Sequence, residues 1–141
     1  MTDFILHERL ARGSADLGRH GICRVMLKNQ AHFPWILLVP EVAAEVKDLH
    51  QLSEEDYLIV CASIRYFSQW MQDHLPIEKI NVAAIGNQVP QLHIHIVGRR
   101  HDDIAWPGVV WSCNEKQSYA DDEWILLQEK LRAAINVDTS C

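Results

Sequence analysis

The stretch Gln91-Leu92-His93-Ile94-His95-Ile96-Val97-Gly98 sets two imidazoles two residues apart in a run that alternates polar and apolar side chains. In an extended chain, alternate side chains leave opposite faces. Leu92, Ile94 and Ile96 therefore point to a core, while Gln91, His93 and His95 line up on the other side, about 6.6–7 Å apart along the strand. Histidine can serve near neutral pH as nucleophile, acid, hydrogen-bond donor or ligand. The plain alternative is a solvated face, but such faces more commonly carry Lys, Thr, Glu or Arg. The turn before the run, Gly86-Asn87-Gln88, opens on a glycine that lets backbone N–H groups converge on an anion. Arg99 and Arg100 follow it, with His101 behind them. They read first as a polar turn and second as anion donors.

Elements that would position these groups follow from periodicity. Phe4 to Ala11 predicts a short helix capped by Asp3 and ended at Gly13. Ile22 to Asn29 and Trp35 to Pro40 predict two strands. Ser53 with Asp56 resembles a capping box, and Tyr57, Val60, Cys61, Ile64, Phe67 and Met71 recur behind it at helical spacing. Leu75-Pro76 stops that helix. Lys79 to Gly86 and Gln91 to Gly98 predict two further strands, and Trp124, Leu127, Leu131, Ala134 and Ile135 a C-terminal helix behind a Ser118/Asp121 start. The order is helix, two strands, long helix, two strands, helix. It predicts an α+β fold with helices on one face of a mainly antiparallel sheet.

With 141 residues, 48% of them hydrophobic and 23% charged, the chain has ordinary globular composition. It is long enough to fold as one domain without a metal or disulfide scaffold. Thirteen Lys/Arg against nineteen Asp/Glu leave a net charge of −6. That balance argues against a partner that is a nucleic acid polymer or an anionic membrane, but a local cluster of donors could still bind a small anion. The apolar runs are too short to span a membrane and the N-terminus has no signal-peptide core, so a cytoplasmic protein is expected. Cys23, Cys61, Cys113 and Cys141 form no CxxC pair and read as reduced thiols, with Cys23 and Cys61 packed in apolar segments. His7, His20, His50 and His74 read as surface residues, and His32 as a loop or base-pocket residue. Trp106 and Trp111 read as packing residues, and Trp70 and Trp124 as core or half-buried ones.

On the residues quoted, the chain resembles the histidine triad (HIT) family, whose strand reads His-φ-His-φ-His-φ-φ with φ apolar. Gly86-Asn87-Gln88 falls where the family has Gly-Gln-Ser or Gly-Gln-Thr. Leu27-Lys28-Asn29 and Ile36-Leu37-Leu38-Val39-Pro40 are similar to its ribose-binding strand end and its apolar strand closed by proline. Gly98-Arg99 and Trp106-Pro107 are similar to its usual continuation. The likeness covers about residues 15 to 108, with the C-terminal helix at about 118 to 136. It points to the bacterial-type diadenosine tetraphosphate hydrolase-like branch, with Gln91 in place of the first histidine.

The resemblance implies a cytoplasmic homodimer with a five-stranded antiparallel sheet per subunit, a long helix packed on it and a C-terminal helix. It implies a nucleotide or dinucleotide as the partner, with hydrolysis or transfer at the α-phosphate. Carried over, His93 is the nucleophile that forms a nucleotidyl-histidine, and His95 donates to the phosphate oxygens. Gly86, Asn87 and Gln88 hold the α-phosphate and leaving group, Asn29 the ribose, and Asn81 is a weaker substrate contact. The scheme requires no cofactor. A divalent metal is compatible with it but not indicated.

Two positions depart from the pattern: Gln91, and Trp35 where many members have histidine. Glutamine hydrogen-bonds but delivers no proton as imidazolium does. Gln91 is therefore expected to orient the leaving group or the nucleophile and to favour a leaving group that departs as a stable anion. Two other readings stand beside this one. One is a nucleotide-binding adaptor without catalysis. The other is a metal site on His93 and His95, with His101 or an acid added, although no third ligand stands at a recognisable spacing.

Overall fold

The computed structural model describes residues 4–139, the side chains of 138 and 139 excepted. A five-stranded antiparallel sheet runs in the order β1-β2-β3-β5-β4, from β1 (Ser14–His20), β2 (Cys23–Lys28), β3 (Trp35–Pro40), β4 (Lys79–Ala83) and β5 (Ile94–Arg99). The three central strands are the most apolar, and β3 and β5 are buried along their whole length. A short helix α1 (Glu8–Ala11) precedes the sheet, a long helix α2 (Glu54–His74) joins β3 to β4, and α3 (Asp121–Thr139) closes the chain.

Strand β1 escaped the sequence reading, and the physical reason is plain. It is an edge strand whose alternation is broken by a register shift between Asp16 and Arg19, with Gly18 at φ 115°. An edge strand with one buried face and a kink carries few of the apolar repeats that announce a strand. The first helix is also shorter than expected, spanning only Glu8–Ala11. His7 caps it, with Nδ1 accepting the Arg9 N–H at 3.1 Å. The proposed cap, Asp3, lies outside the described residues. Residues 4–7 are non-helical and run past Gln91 instead.

Helix α2 begins as expected, with Ser53 Oγ accepting the Asp56 N–H at 3.1 Å. Its buried stripe is Val60, Ser63, Phe67, Trp70 and Met71. Tyr57 and Cys61 lie off that stripe and are exposed, so the packing expected for Cys61 does not occur. Cys23 is fully buried, and burial, with the Glu41 carboxylate, pushes its thiol up to about 12. His20, expected at the surface, is buried between β1 and α2. Its Nδ1 pairs with Ser63 Oγ at 2.7 Å and its ring stacks on Tyr66 at 4.8 Å. The Tyr66 hydroxyl donates to the Ala134 carbonyl at 2.6 Å, tying α2 to α3.

Two apolar clusters flank the sheet. Under the helices, Val25, Leu27, Ile36, Leu38, Ile94 and Ile96 meet Val60, Phe67, Met71 and Leu131. On the opposite face Met26, Trp35, Leu37, Val39 and Val97 are covered by Phe33, Val89, Val110 and, from the N-terminal segment, Leu10. Cross-strand register sets this second face, since Leu37 lies opposite His95 and Trp35 opposite Val97.

Arg99 is the last residue of β5 rather than part of a polar turn, and only 2% of it is exposed. Its guanidinium donates to both Asp103 oxygens, at 2.8 and 3.0 Å, and to Asn81 Oδ1 at 2.9 Å. Burial alone would raise the Asp103 carboxyl. Hydrogen bonds from Arg99 and from the N–H groups of Arg100 and Ala105 outweigh it and hold the group at about 2. A depressed carboxyl stabilises the fold above its unfolded range near about 3.9, and that share is lost as pH falls toward 2. Asp103→Asn leaves the buried guanidinium without its counter-charge and is expected to cost about 3–5 kcal/mol. Urea denaturation at neutral pH measures the loss, and wild-type stability there would contradict it.

Candidate functional site

The second face of the sheet carries the two histidines of the expected constellation, and each ring has one nitrogen committed to the protein. His93 Nδ1 lies 2.7 Å from the Gln91 carbonyl. A carbonyl only accepts, so Nδ1 carries the hydrogen and the lone pair of the neutral ring sits on Nε2. His95 Nδ1 is 3.0 Å from Trp35 Nε1. An indole N–H only donates, so His95 Nδ1 accepts and its hydrogen sits on Nε2. The two rings are neighbours, with centroids 4.9 Å apart and planes at 72°, yet they hold opposite tautomers. One offers a lone pair and the other an N–H.

Both residues are buried overall, at 6% and 8% exposure. Among the described residues neither Nε2 atom has a partner, and the single buried side-chain polar atom left unpaired is Trp111 Nε1. The Nε2 atoms of His93 and His95 therefore reach solvent. Trp111 packs edge-on against both Trp35 (5.8 Å) and His95 (5.1 Å), completing an aromatic wall behind the pair.

Electrostatics keep the rings neutral. Burial is the largest influence on His93 and lowers it below the ordinary histidine range. The hydrogen bond to the Gln91 carbonyl opposes the shift, while Lys28 and His7 add to it. Burial, then His93 and Lys28, push His95 down to about 3. Lys28 stands over the Trp35 ring, with Nζ 4.1 Å from the centroid, and is itself lowered by burial and by Lys116. A cation beside two uncharged imidazoles makes the site attractive to an anion.

The other expected site residues have partners elsewhere in the fold. The Gln91 side chain faces the N-terminal segment, accepting the His7 N–H at 2.8 Å and donating to the Ile5 carbonyl at 2.9 Å. Gly86 takes φ 65°, with Asn87 and Gln88 exposed behind it, and Gln88 Oε1 accepts from Arg9 at 3.1 Å. Asn29 Oδ1 accepts the Tyr119 N–H at 2.8 Å, and Asn81 Oδ1 is taken by Arg99 at 2.9 Å. Their carbonyl oxygens thus already serve the fold.

Sequence reasoning missed Lys28 and His7 as neighbours of the histidines, and it noted Trp35 only as a departure. Lys28 carried a weak signal, since it ends a strand in which Arg24, Met26 and Lys28 share one face. His7 carried none, because only the Gln91 clamp brings it there. His101, offered as a third metal ligand, pairs instead with Glu78. Among the described residues no three His, Cys, Asp or Glu side chains gather as a metal site, and no helix is long and apolar enough to cross a membrane. A cavity of about 320 Å³ lies beyond Gln91, lined by Ile5, His7, Val42 and Lys47 among others. A second, of about 380 Å³, lies by α3, lined by His32, Ile77 and Lys130 among others. Neither is lined by His93 or His95.

The tautomer assignment is open to direct measurement. In 15N-resolved spectra His95 is expected to show a protonated Nε2 and to stay neutral across about pH 5 to 8, where an ordinary histidine titrates. Trp35→Phe keeps the apolar bulk and removes the donor. It should turn His95 into a tautomer mixture and raise its pKa, and an unchanged His95 would refute the role of the indole.

The chain matches the HIT domain family over residues 14–102. It is similar to a histidine triad protein of Marinobacter aquaeolei, with 35% identity over 94% of this chain and 96% of that one, at a TM-score of 0.89. A histidine triad protein of Bradyrhizobium japonicum has 32% identity over 94% and 98% of the two chains, also at a TM-score of 0.89. One from Sinorhizobium meliloti has 31% identity over 94% and 97%, at 0.87. No curated protein matches. A domain match across most of the sheet and its two histidines, joined to relatives aligned over nearly their full length, assigns the chain to the histidine triad family.

Proposed function

We propose that the protein hydrolyses or transfers a nucleoside monophosphate unit through His93. The reading is carried by the paired tautomers, a free lone pair on His93 Nε2 beside an N–H on His95 Nε2. His93 Nε2 attacks the α-phosphorus, an N–P bond forms, and the bond to the leaving group breaks. Water then attacks phosphorus and returns the ring. Splitting the reaction in this way replaces one difficult displacement with two easier ones. The His95 N–H donates to a non-bridging oxygen as charge grows there, and Lys28 adds positive potential. In this reading the turn at Gly86, Asn87 and Gln88 holds the α-phosphate and leaving group, Asn29 the ribose, and Asn81 is a weaker substrate contact.

The leaving group follows from Gln91. A carboxamide cannot protonate a departing amine, so a group that leaves as a stable anion suits the site, and a dinucleoside polyphosphate such as diadenosine tetraphosphate is the substrate class to test first. The working form is a cytoplasmic homodimer. Edge strand β4 is open on one side, with Val82 exposed in it and Ile85 just after it, which supports a second copy pairing there.

A second reading, nucleotide binding without turnover, draws on the small exposure of both rings. One experiment separates the two. The wild type mixed with diadenosine tetraphosphate and quenched should yield an acid-labile nucleotidyl adduct on His93, and His93→Ala should lower turnover at least about a thousandfold. Turnover surviving His93→Ala would remove the assigned nucleophile, and binding without adduct or product would favour the second reading. Cleavage of adenosine phosphoramidates much faster than dinucleoside polyphosphates would overturn the leaving-group preference. The lowered His93 pKa keeps the nucleophile unprotonated at neutral pH. The acid limb of kcat/KM should accordingly lie below about 6.5, the ordinary histidine value.

A further inference from the structure

One buried donor has no task in the unliganded fold. Trp111 Nε1 is withdrawn from water without an acceptor, alone in this among the buried side-chain polar atoms of the described residues. A buried N–H without a partner destabilises a fold, so the group points to a second state in which it is satisfied. The Trp111 ring stands against the site, its centroid 5.1 Å from that of His95 and 5.8 Å from that of Trp35. The histidine pair is nearly covered, at 6% and 8% exposure, and neither of the two cavities described above is lined by it. A tetrahedral phosphate meets the outward nitrogens only if a side chain on this face gives way. Trp35 is fixed, since it lies in β3 opposite Val97 and its indole holds His95. Trp111 is held less firmly.

Residues 107–114 form an arch pinned at its two feet. At one, Asp103 Oδ1 accepts the N–H groups of Ala105 at 3.1 Å and Trp106 at 2.8 Å. At the other, the Gln30 side chain donates to the Glu115 carbonyl at 3.2 Å and accepts the Gln117 N–H at 3.3 Å. Between the feet, the hydrogen bonds among the described residues are local. Gly108 donates to the Ala105 carbonyl, and Ser112 and Cys113 donate to those of Val109 and Val110. The middle of the arch rests on the sheet through the packing of Val110 and Trp111. We infer that Trp111 is a further binding residue of the site, turning with this arch when a nucleotide enters, so that its Nε1–H donates to the phosphate oxygen served by His95 Nε2–H. The inference rests on the nucleotidyl-transfer reading above and deepens it. A phosphate oxygen supplies the acceptor that the indole lacks, and its charge strengthens the hydrogen bond. As His93 Nε2 bonds to phosphorus, the bond to the leaving group breaks and its electron pair departs with that group. Two N–H donors then meet the non-bridging oxygen on which charge grows, and neither gives up its proton.

Two measurements test this. In the 15N-labelled wild type, with the Trp111 indole resonance assigned by through-bond spectra, saturating adenosine 5′-monophosphate should move that resonance downfield, as an N–H moves on gaining an anionic acceptor. Adenosine, which lacks the phosphate, should leave it in place. Trp111→Phe keeps an aromatic ring against His95 and removes the donor. In rapid-quench measurements with diadenosine tetraphosphate it should slow adduct formation at least about tenfold, the loss expected for one hydrogen bond to a charged group. A resonance unmoved by the monophosphate, or moved equally by adenosine, would overturn the inference, and so would adduct formation at the wild-type rate in Trp111→Phe. In each case the role of His93 stands. No adduct even in the wild type would overturn the nucleotidyl-transfer reading alone, and the response of the indole to the monophosphate would still decide the contact. Thermal unfolding checks that Trp111→Phe keeps the fold, and should it unfold, the comparison of monophosphate with adenosine decides by itself.

Discussion

The site depends on one peptide unit and the side chain it carries. The Gln91 carbonyl holds His93 by its Nδ1, and the Gln91 carboxamide holds the N-terminal segment by two hydrogen bonds. Glutamine is suited to the second task because its amide repeats the donor and acceptor of a peptide group on a single side chain. Histidine in its neutral form has one of each on opposite sides of a ring and could not bridge two peptide groups of one segment in this way. The side chain that departs from the family pattern is therefore committed to architecture.

Burial and polarity work against each other on this face of the sheet. An imidazole withdrawn from water loses its charge first, and both histidines are held neutral mainly for that reason. Neutrality alone would leave each ring free to choose a tautomer. The choice is made by groups that can only accept, as at Gln91, or only donate, as at Trp35. Lys28 then supplies the positive potential that the neutral rings lack, at the cost of its own partial desolvation.

Much of this was legible in the sequence, where a strong pattern had a single structural cause. Strict alternation around Ile94 and Ile96 placed both histidines on one face, and the spacing of Leu131, Ala134 and Ile135 located α3. The limits were also physical. β1 is an edge strand kinked at Gly18, so its pattern is half erased. His20 looked like a surface histidine because its partner, Ser63, lies 43 positions away on another element. Arg99 looked like a turn residue until Asp103 and Asn81 closed around it. Long-range polar pairs leave no periodic trace, and those pairs set the fine geometry of the site.

The indole of Trp35 has an effect beyond orientation. Chelation of a zinc ion by both imidazoles would need a lone pair at each outward-facing nitrogen, and on His95 that nitrogen bears a hydrogen. Turning the ring to the other tautomer would strand the indole N–H in an apolar cluster, a loss of about 1–3 kcal/mol for a buried donor. Adventitious metal is thereby discriminated against by a residue that never touches it.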